Sequence, residues 1–232
     1  TQTFASRISP TQAEISTANS ILVHTWHDAK SKADELRGLQ RKQSARAFLE
    51  GGTPSWKIAA SDIPVWLNAT DELYAALSSS IDAKDRIFLV YGQSGSGKTT
   101  ALLQALLRYV RENHERAIYE IKGDVKSLRS SLELIARLHE SDHAIVYVGD
   151  AFIYGDTLVE DTLALPRGQV TIITSARSNE WRYHIERYVG DFTTSFEFQR
   201  FVKSDYSALI DKLLEYVPSP KFLKMKPRER MQ

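Results

Sequence analysis

No cysteine occurs among the 232 residues, so disulfides and thiolate-bound metal sites are excluded, and a reducing compartment, by default the cytoplasm, is expected. Long hydrophobic runs are missing too. No stretch approaches the roughly 20 apolar residues of a membrane-spanning helix. The polar start Thr1–Thr3 lacks the charged-then-apolar order of a signal peptide, so neither an anchor nor a secretory leader is expected. Neither sign of charge is in excess: 30 Lys and Arg stand against 29 Asp and Glu, a formal net charge of +1. That balance gives no general attraction for nucleic acid or membrane surfaces, and the basic run from Lys221 to Arg230 reads as a solvated end. An initiating Met is also absent, and the chain stops at Met231-Gln232 without a legible closing element. A piece of a longer polypeptide is therefore expected. What is present, 42% hydrophobic and 25% charged residues, is enough for one core and a satellite segment.

From Ser9 to Leu49 the residues Ile15, Ala18, Leu22, Trp26, Ala29, Ala33 and Leu36 recur at intervals of three and four, the period of one helical face. Ser9-Pro10 supplies a start signal and Gly51-Gly52 a stop. Residues 1–50 are thus expected to form a helical segment or connector. His24 and His27 lie three apart on it, and without a third ligand they read as surface histidines rather than a metal pair. Residues 51–80 comprise a turn-rich linker, Gly51–Trp66, and a short helix from about Thr70 to Ser79.

Between 81 and 217, β-rich and helix-patterned stretches alternate. Strands are expected at Ile87–Tyr91, Ala117–Ile121, Ala144–Val148, Val170–Thr174 and Ser195–Phe201, with helices at Lys98–Arg111 and, capped by Asp124, Val125–Leu138. Such alternation requires parallel crossovers. The expected fold is an α/β three-layer P-loop sandwich with a mostly parallel five-stranded sheet, preceded by an α-helical N-terminal segment, with ligands at the carboxyl ends of the strands. Residues 218–232 are expected to be a basic tail opening a further domain.

Three of the 11 glycines fall close together in Gly92-Gln93-Ser94-Gly95-Ser96-Gly97-Lys98-Thr99, the Walker A pattern, which follows the first strand and opens a helix. Glycines at 92, 95 and 97 let the backbone turn tightly and aim N–H groups at phosphate oxygens, and the helix adds its positive dipole end. Lys98 would reach the β and γ phosphates and the Thr99 hydroxyl would ligate magnesium, with Thr100 following on the first turn. ATP or ADP with Mg2+ is the implied ligand. An apolar strand closing in a carboxylate should supply the other metal ligand, and Ala144–Asp150 does so with Asp150. A second acid to orient the attacking water is missing: position 151 is Ala, and Asp156, Glu160 and Asp161, the nearest candidates, read as helix-surface charges. A third element, Val170–Arg177, is an apolar strand ending in hydroxyls and an Arg, whose guanidinium can meet a γ phosphate bidentately.

From about Gly51 to Val217 these motifs resemble the signal-transduction ATPases with numerous domains, the STAND class, which includes the NB-ARC proteins. Thr171–Arg177 is similar to that class's sensor-one strand, with Ala176 between the hydroxyls and the Arg. Arg177-Ser178-Asn179-Glu180-Trp181 and the linker Gly52-Thr53-Pro54-Ser55-Trp56 resemble segments of bacterial STAND-like proteins of antiviral defence. The resemblance implies an ATPase switch: closed and monomeric with ADP, open and homo-oligomeric with ATP, with an effector domain upstream and a sensor domain downstream. It assigns catalysis to Lys98, Asp150 and Arg177. The Gly-Leu-Pro-Leu-like motif, winged helix and repeat domain of the class are not in this sequence, and Pro218 and Pro220 fall where the small helical domain would begin.

Rival readings are weaker. A GTPase needs Asp-x-x-Gly where Ala151, Phe152 and Ile153 follow Asp150, and its base reader would have an amide or hydroxyl where Val202 precedes Lys203-Ser204-Asp205. A kinase could draw a lid from Arg177, Arg182 and Arg187, but no acceptor site is legible. An AAA+ type ATPase acting on DNA shares the fold. A module that binds nucleotide without hydrolysing it is consistent with Ala151.

Overall fold

A computed structural model describes residues 17, 20–114, 116–122, 125–140, 142–181, 193–199 and 201–217. The chain runs β1 (Ile21–His24), α1 (Trp26–Asp34), α2 (Gly38–Leu49), α3 (Trp56–Ala59), α4 (Asn68–Asp82), β2 (Ile87–Gly92), α5 (Lys98–Glu112), β3 (Ile118–Ile121) and α6 (Val125–Leu138). It continues through β4 (Ala144–Asp150), α7 (Ala151–Tyr154), α8 (Asp156–Leu163), β5 (Val170–Arg177), the single turn α9 (Ser178–Glu180), β6 (Thr193–Glu197) and α10 (Lys203–Tyr216).

The strands lie in the order β1-β3-β4-β5-β2-β6, and every pairing is parallel except that of β1 with β3. Central strands β2, β4 and β5 are covered on both faces, which is why they read as almost unbroken apolar runs. Phe88 and Val90 of β2 point into one core with α4 and α5, while Ile87 and Leu89 point into the other with α6 and α8. The result is the three-layer α/β sandwich, with β2 placed between β5 and β6 so that the loop leaving it opens at the carboxyl edge of the sheet. Among the described residues, no helix is long and apolar enough to cross a membrane.

The sheet has six strands rather than the expected five, and the difference arises in the N-terminal segment. Ile21, Leu22 and Val23 pair with Ile121, Glu120 and Tyr119 as an antiparallel edge strand, so the helical stripe does not run unbroken to Leu49. Thr25 starts a new helix by accepting the Asp28 N–H at 3.1 Å. Gly38, at φ +53°, opens the next after a turn. Ser9, Pro10, Ile15, Ala18 and Asp124 lie outside the described residues.

His24 also departs from expectation. It is only 13% exposed and its Nε2 lies 2.7 Å from Glu120 Oε2; the same oxygen accepts the Trp56 indole N–H at 3.0 Å, and the imidazole stacks on that indole at 4.4 Å. This cluster ties β1 and α3 to β3. Burial pushes the Glu120 carboxyl up, but the hydrogen bonds from His24 and Trp56 and the charge of Lys122 outweigh it and hold the acid below its ordinary range.

Candidate functional site

The phosphate loop leaves β2 at Gly92 and enters α5 at Lys98. Two of its glycines are required by their surroundings. At Gly92 a Cβ would come 2.8 Å from the Phe198 carbonyl oxygen. Gly97, at φ +78°, has the Leu67 Cδ1 3.1 Å from where its Cβ would be, with the Phe201 ring beyond. Phe198, Leu67 and Phe201 thus form a packed floor, while Gln93, Ser94 and Gly95 stand exposed above it. The first-turn N–H groups of α5 have no acceptor within the helix and open toward the loop, at the positive end of a 15-residue dipole.

Inside the loop, the polar groups are incompletely satisfied. Lys98 is 9% exposed, its Nζ donates to the Gln93 carbonyl at 3.3 Å, and among the described residues it forms no ion pair. Burial pushes its pKa down, and the Asp150 charge pulls it partly back. The Ser96 hydroxyl is buried without a hydrogen-bond partner. A buried cation short of an anion, an unpaired hydroxyl and a fan of N–H groups are together what a polyphosphate satisfies, so these residues fit a nucleotide.

Asp150 is brought to the same edge by an irregularity in β4. The ladder to β5 slips between Val148 and Asp150, and the Gly149 carbonyl accepts the hydroxyls of Thr174 and Ser175 at 3.2 and 3.3 Å. The bulge re-aims the strand end. Asp150 Oδ1 accepts the Phe152 N–H at 3.1 Å and so caps α7. Across the ladders Asp150 pairs with Ser175, and Arg177 with Gly92. The loop, the acid and the arginine therefore meet at one edge, and the charges of Asp150, Arg177 and Glu180 all act on Lys98.

A sequence profile for the family described as novel STAND NTPase 5 matches residues 46–187. The chain belongs to that family. No curated protein matches it. Among solved structures, S. cerevisiae Hsp104 in complex with casein is similar at 14% identity and a TM-score of 0.52, over 67% of this chain and 30% of that one. Hsp104 with ATPγS and FITC casein gives 15%, 0.50, 68% and 30%. C. elegans PCH-2 gives 12%, 0.45, 77% and 55%. This chain spans about half or less of those structures, and the Hsp104 likeness concerns the P-loop fold alone.

In this STAND NTPase the position after Asp150 is closed to a second acid: Ala151 is 0% exposed and part of the core. Of the other acids considered, Asp156 accepts the adjacent Thr157 N–H and Glu160 is exposed. Asp161 is not a surface charge. It is 8% exposed, and burial pushes its pKa up against the opposing charge of Arg129 on α6. None of the three is among the charges acting on Lys98. Glu180, which the sequence reading passed over, is. The signal available was its spacing: a Glu at the third position of a turn reaches back to the N–H of the capping residue, and Glu180 Oε2 accepts the Arg177 N–H at 3.1 Å.

Asp205, which fails as a base reader in sequence, has a different occupation. It is 4% exposed and accepts from the Val202 N–H at 2.9 Å, the Asn68 N–H at 2.9 Å and the Asn68 side-chain amide at 2.8 Å. Arg182 and Arg187 lie outside the described residues, as do Pro218 and Pro220.

Proposed function

We propose that this domain is an ATP-dependent regulatory switch that binds Mg-ATP, hydrolyses it slowly and signals its nucleotide state by assembling with copies of itself. The observation that carries the reading is Lys98: a buried cation with a carbonyl as its hydrogen-bond partner, grouped with Asp150 and the Arg177–Glu180 pair. Gly92 to Thr100 would hold the phosphates. Lys98 would meet the β and γ phosphates, Thr99 and Asp150 would hold magnesium, and Arg177 would read whether the γ phosphate is present. Bound magnesium would neutralise charge on the transferring phosphoryl group. ADP and ATP must then favour different conformations through different affinities for them.

Slow turnover follows from Ala151. A positioned base contributes about a hundredfold or more, and an arginine from a neighbouring subunit about a thousandfold; buried Ala151 offers no such base. The same observation favours a second reading, in which nucleotide holds an interaction module in one shape without being cleaved. In the larger frame, an effector would lie upstream and residues 218–232 would begin a downstream sensor domain, in a cytoplasmic protein of antiviral defence; the NTPase unit itself reaches N-terminal of the expected 81–217, since β1 is in its sheet and α4 in its core. The test is phosphate release by the purified chain with Mg-ATP across a range of protein concentrations. The expected result is turnover well below about 1 per second, rising with concentration. Fast turnover at high dilution would sink the switch reading, and nucleotide-dependent assembly without phosphate release would select the non-hydrolysing module.

A further inference from the structure

One acid beside the phosphate loop has partners but no part in the scheme above. Glu180 Oε2 takes the Arg177 backbone N–H at 3.1 Å, while its Oε1 lies 3.3 Å from the Arg177 guanidinium. The two side chains differ in freedom: Glu180 is 12% exposed and Arg177 is 55% exposed. The short turn that carries the carboxylate is anchored at both ends. Arg177 is the last rung of β5, paired with Gly92. Trp181, 7% exposed, stacks at 5.6 Å on Tyr91, the residue before Gly92. The turn that carries the acid is thus held beside β2 at the root of the loop, whereas the long, exposed guanidinium arm can turn about its own bonds.

We propose that Glu180 is a positioning residue that competes with the γ phosphate for the Arg177 guanidinium and so sets how sharply the domain distinguishes ATP from ADP. This rests on the reading that Arg177 meets the γ phosphate. ADP carries no group at that position, so with ADP the arginine stays on Glu180. A terminal phosphate brings more negative charge than a carboxylate and offers the guanidinium two oxygens, so with ATP it takes the arginine over. An ion pair of this exposure shifts an equilibrium by about 1.5- to 5-fold. That is too little to lock the arginine, but enough to tax ATP binding selectively.

Glu180→Gln separates the two contacts, because its amide oxygen still accepts the Arg177 N–H while the charge is gone. The experiment is calorimetry of ATPγS and ADP with wild type, Glu180→Gln, Arg177→Ala and the double variant, all with magnesium. Removing a negative charge near the loop strengthens both ligands, so the readout is the ratio of their affinities. Glu180→Gln is expected to raise the preference for ATPγS about 1.5- to 5-fold, Arg177→Ala to lower it, and Glu180→Gln to have no effect on it in the Arg177→Ala background. A rise that persists without Arg177 overturns the competition. So does an unchanged ratio in Glu180→Gln, whether or not turnover falls, a fall making Glu180 a base instead. If Arg177→Ala leaves the ratio at the wild-type value, the γ-phosphate reading falls and the competition with it. If Arg177→Ala lowers the ratio but Glu180→Gln does nothing, the competition alone is wrong.

Discussion

Replacing Lys98 by Met should raise the melting temperature of the nucleotide-free protein and abolish its rise with ATP, two effects of opposite sign from one substitution. Without nucleotide, the Lys98 ammonium is 9% exposed and its hydrogen bond, at 3.3 Å to the Gln93 carbonyl, is longer than the usual range. Burial depresses its pKa, meaning that the folded state disfavours the charge. Met fills similar length without it. Relief of a functional strain of this kind is typically worth about 0.5–2 kcal/mol. At about 2–4 °C per kcal/mol for a chain of this size, that is a rise of about 1–8 °C.

The sign of the pH dependence follows from the depressed pKa. The penalty is complete while Lys98 is charged in the folded state, and it vanishes as pH rises through the lowered value toward the 10.5 of an ordinary lysine. The advantage of Met is therefore full below the lowered pKa and fades as pH rises from there toward that of an ordinary lysine. ATP at a hundredfold excess over its dissociation constant adds about 2.7 kcal/mol to the wild type, or about 5–11 °C, and nothing to the variant. Thermal melts of both proteins with and without Mg-ATP decide the matter. A variant that melts below wild type without nucleotide, or that still responds to ATP, would refute the reasoning.

Two further predictions concern the metal ligands and the N-terminal clamp. Thr99→Ala and Asp150→Asn should each lower nucleotide affinity in magnesium while leaving affinity in EDTA near wild type; titrations with and without the metal check this, and equal losses in both would remove these residues from the metal. Glu120→Ala should lower stability by about 1–3 kcal/mol at neutral pH by stranding the Trp56 and His24 nitrogens. Because the Glu120 pKa is lowered from 4.5, its charge-dependent contribution is complete above that value and is lost as pH falls through the folded pKa, so melts of variant and wild type should draw together in acid.

The parts of this site that could be read in advance depend on local pattern. An apolar run followed by glycines at fixed offsets allows only a strand, a turn and a helix N-terminus, and β2, the loop and α5 follow it almost residue for residue. The place of Asp150 at the end of a buried strand was legible from the apolar run before it, and its spacing downstream of the glycine loop singled it out, although its carboxylate also caps α7. Ile21–Val23 was not: an exposed edge strand carries only a weak alternation, and the surrounding three- and four-residue spacing, genuine from Trp26 onward, ran across it. The work of Thr174, Ser175 and Glu180 depends on a bulge in the neighbouring strand and on a backbone N–H. Sequence spacing carries no record of a ladder slipping by one residue, nor of which strand lies next to which.

The Asp205 carboxylate has a mechanical consequence. It bolts the first residue of α4 to the first turn of α10, and the residue before that bolt, Leu67, is the one lodged beneath Gly97. At its other end α10 is fastened to α2, where the Tyr216 hydroxyl accepts from Arg41 at 2.8 Å. Helix α10 is therefore a crank with one bearing beside the phosphate loop and the other on the N-terminal segment. Torque applied beyond Tyr216 would reach the floor of the loop through the two Asn68–Asp205 hydrogen bonds and a leucine, without bending the sheet, and a phosphate seated in the loop would push back along the same linkage.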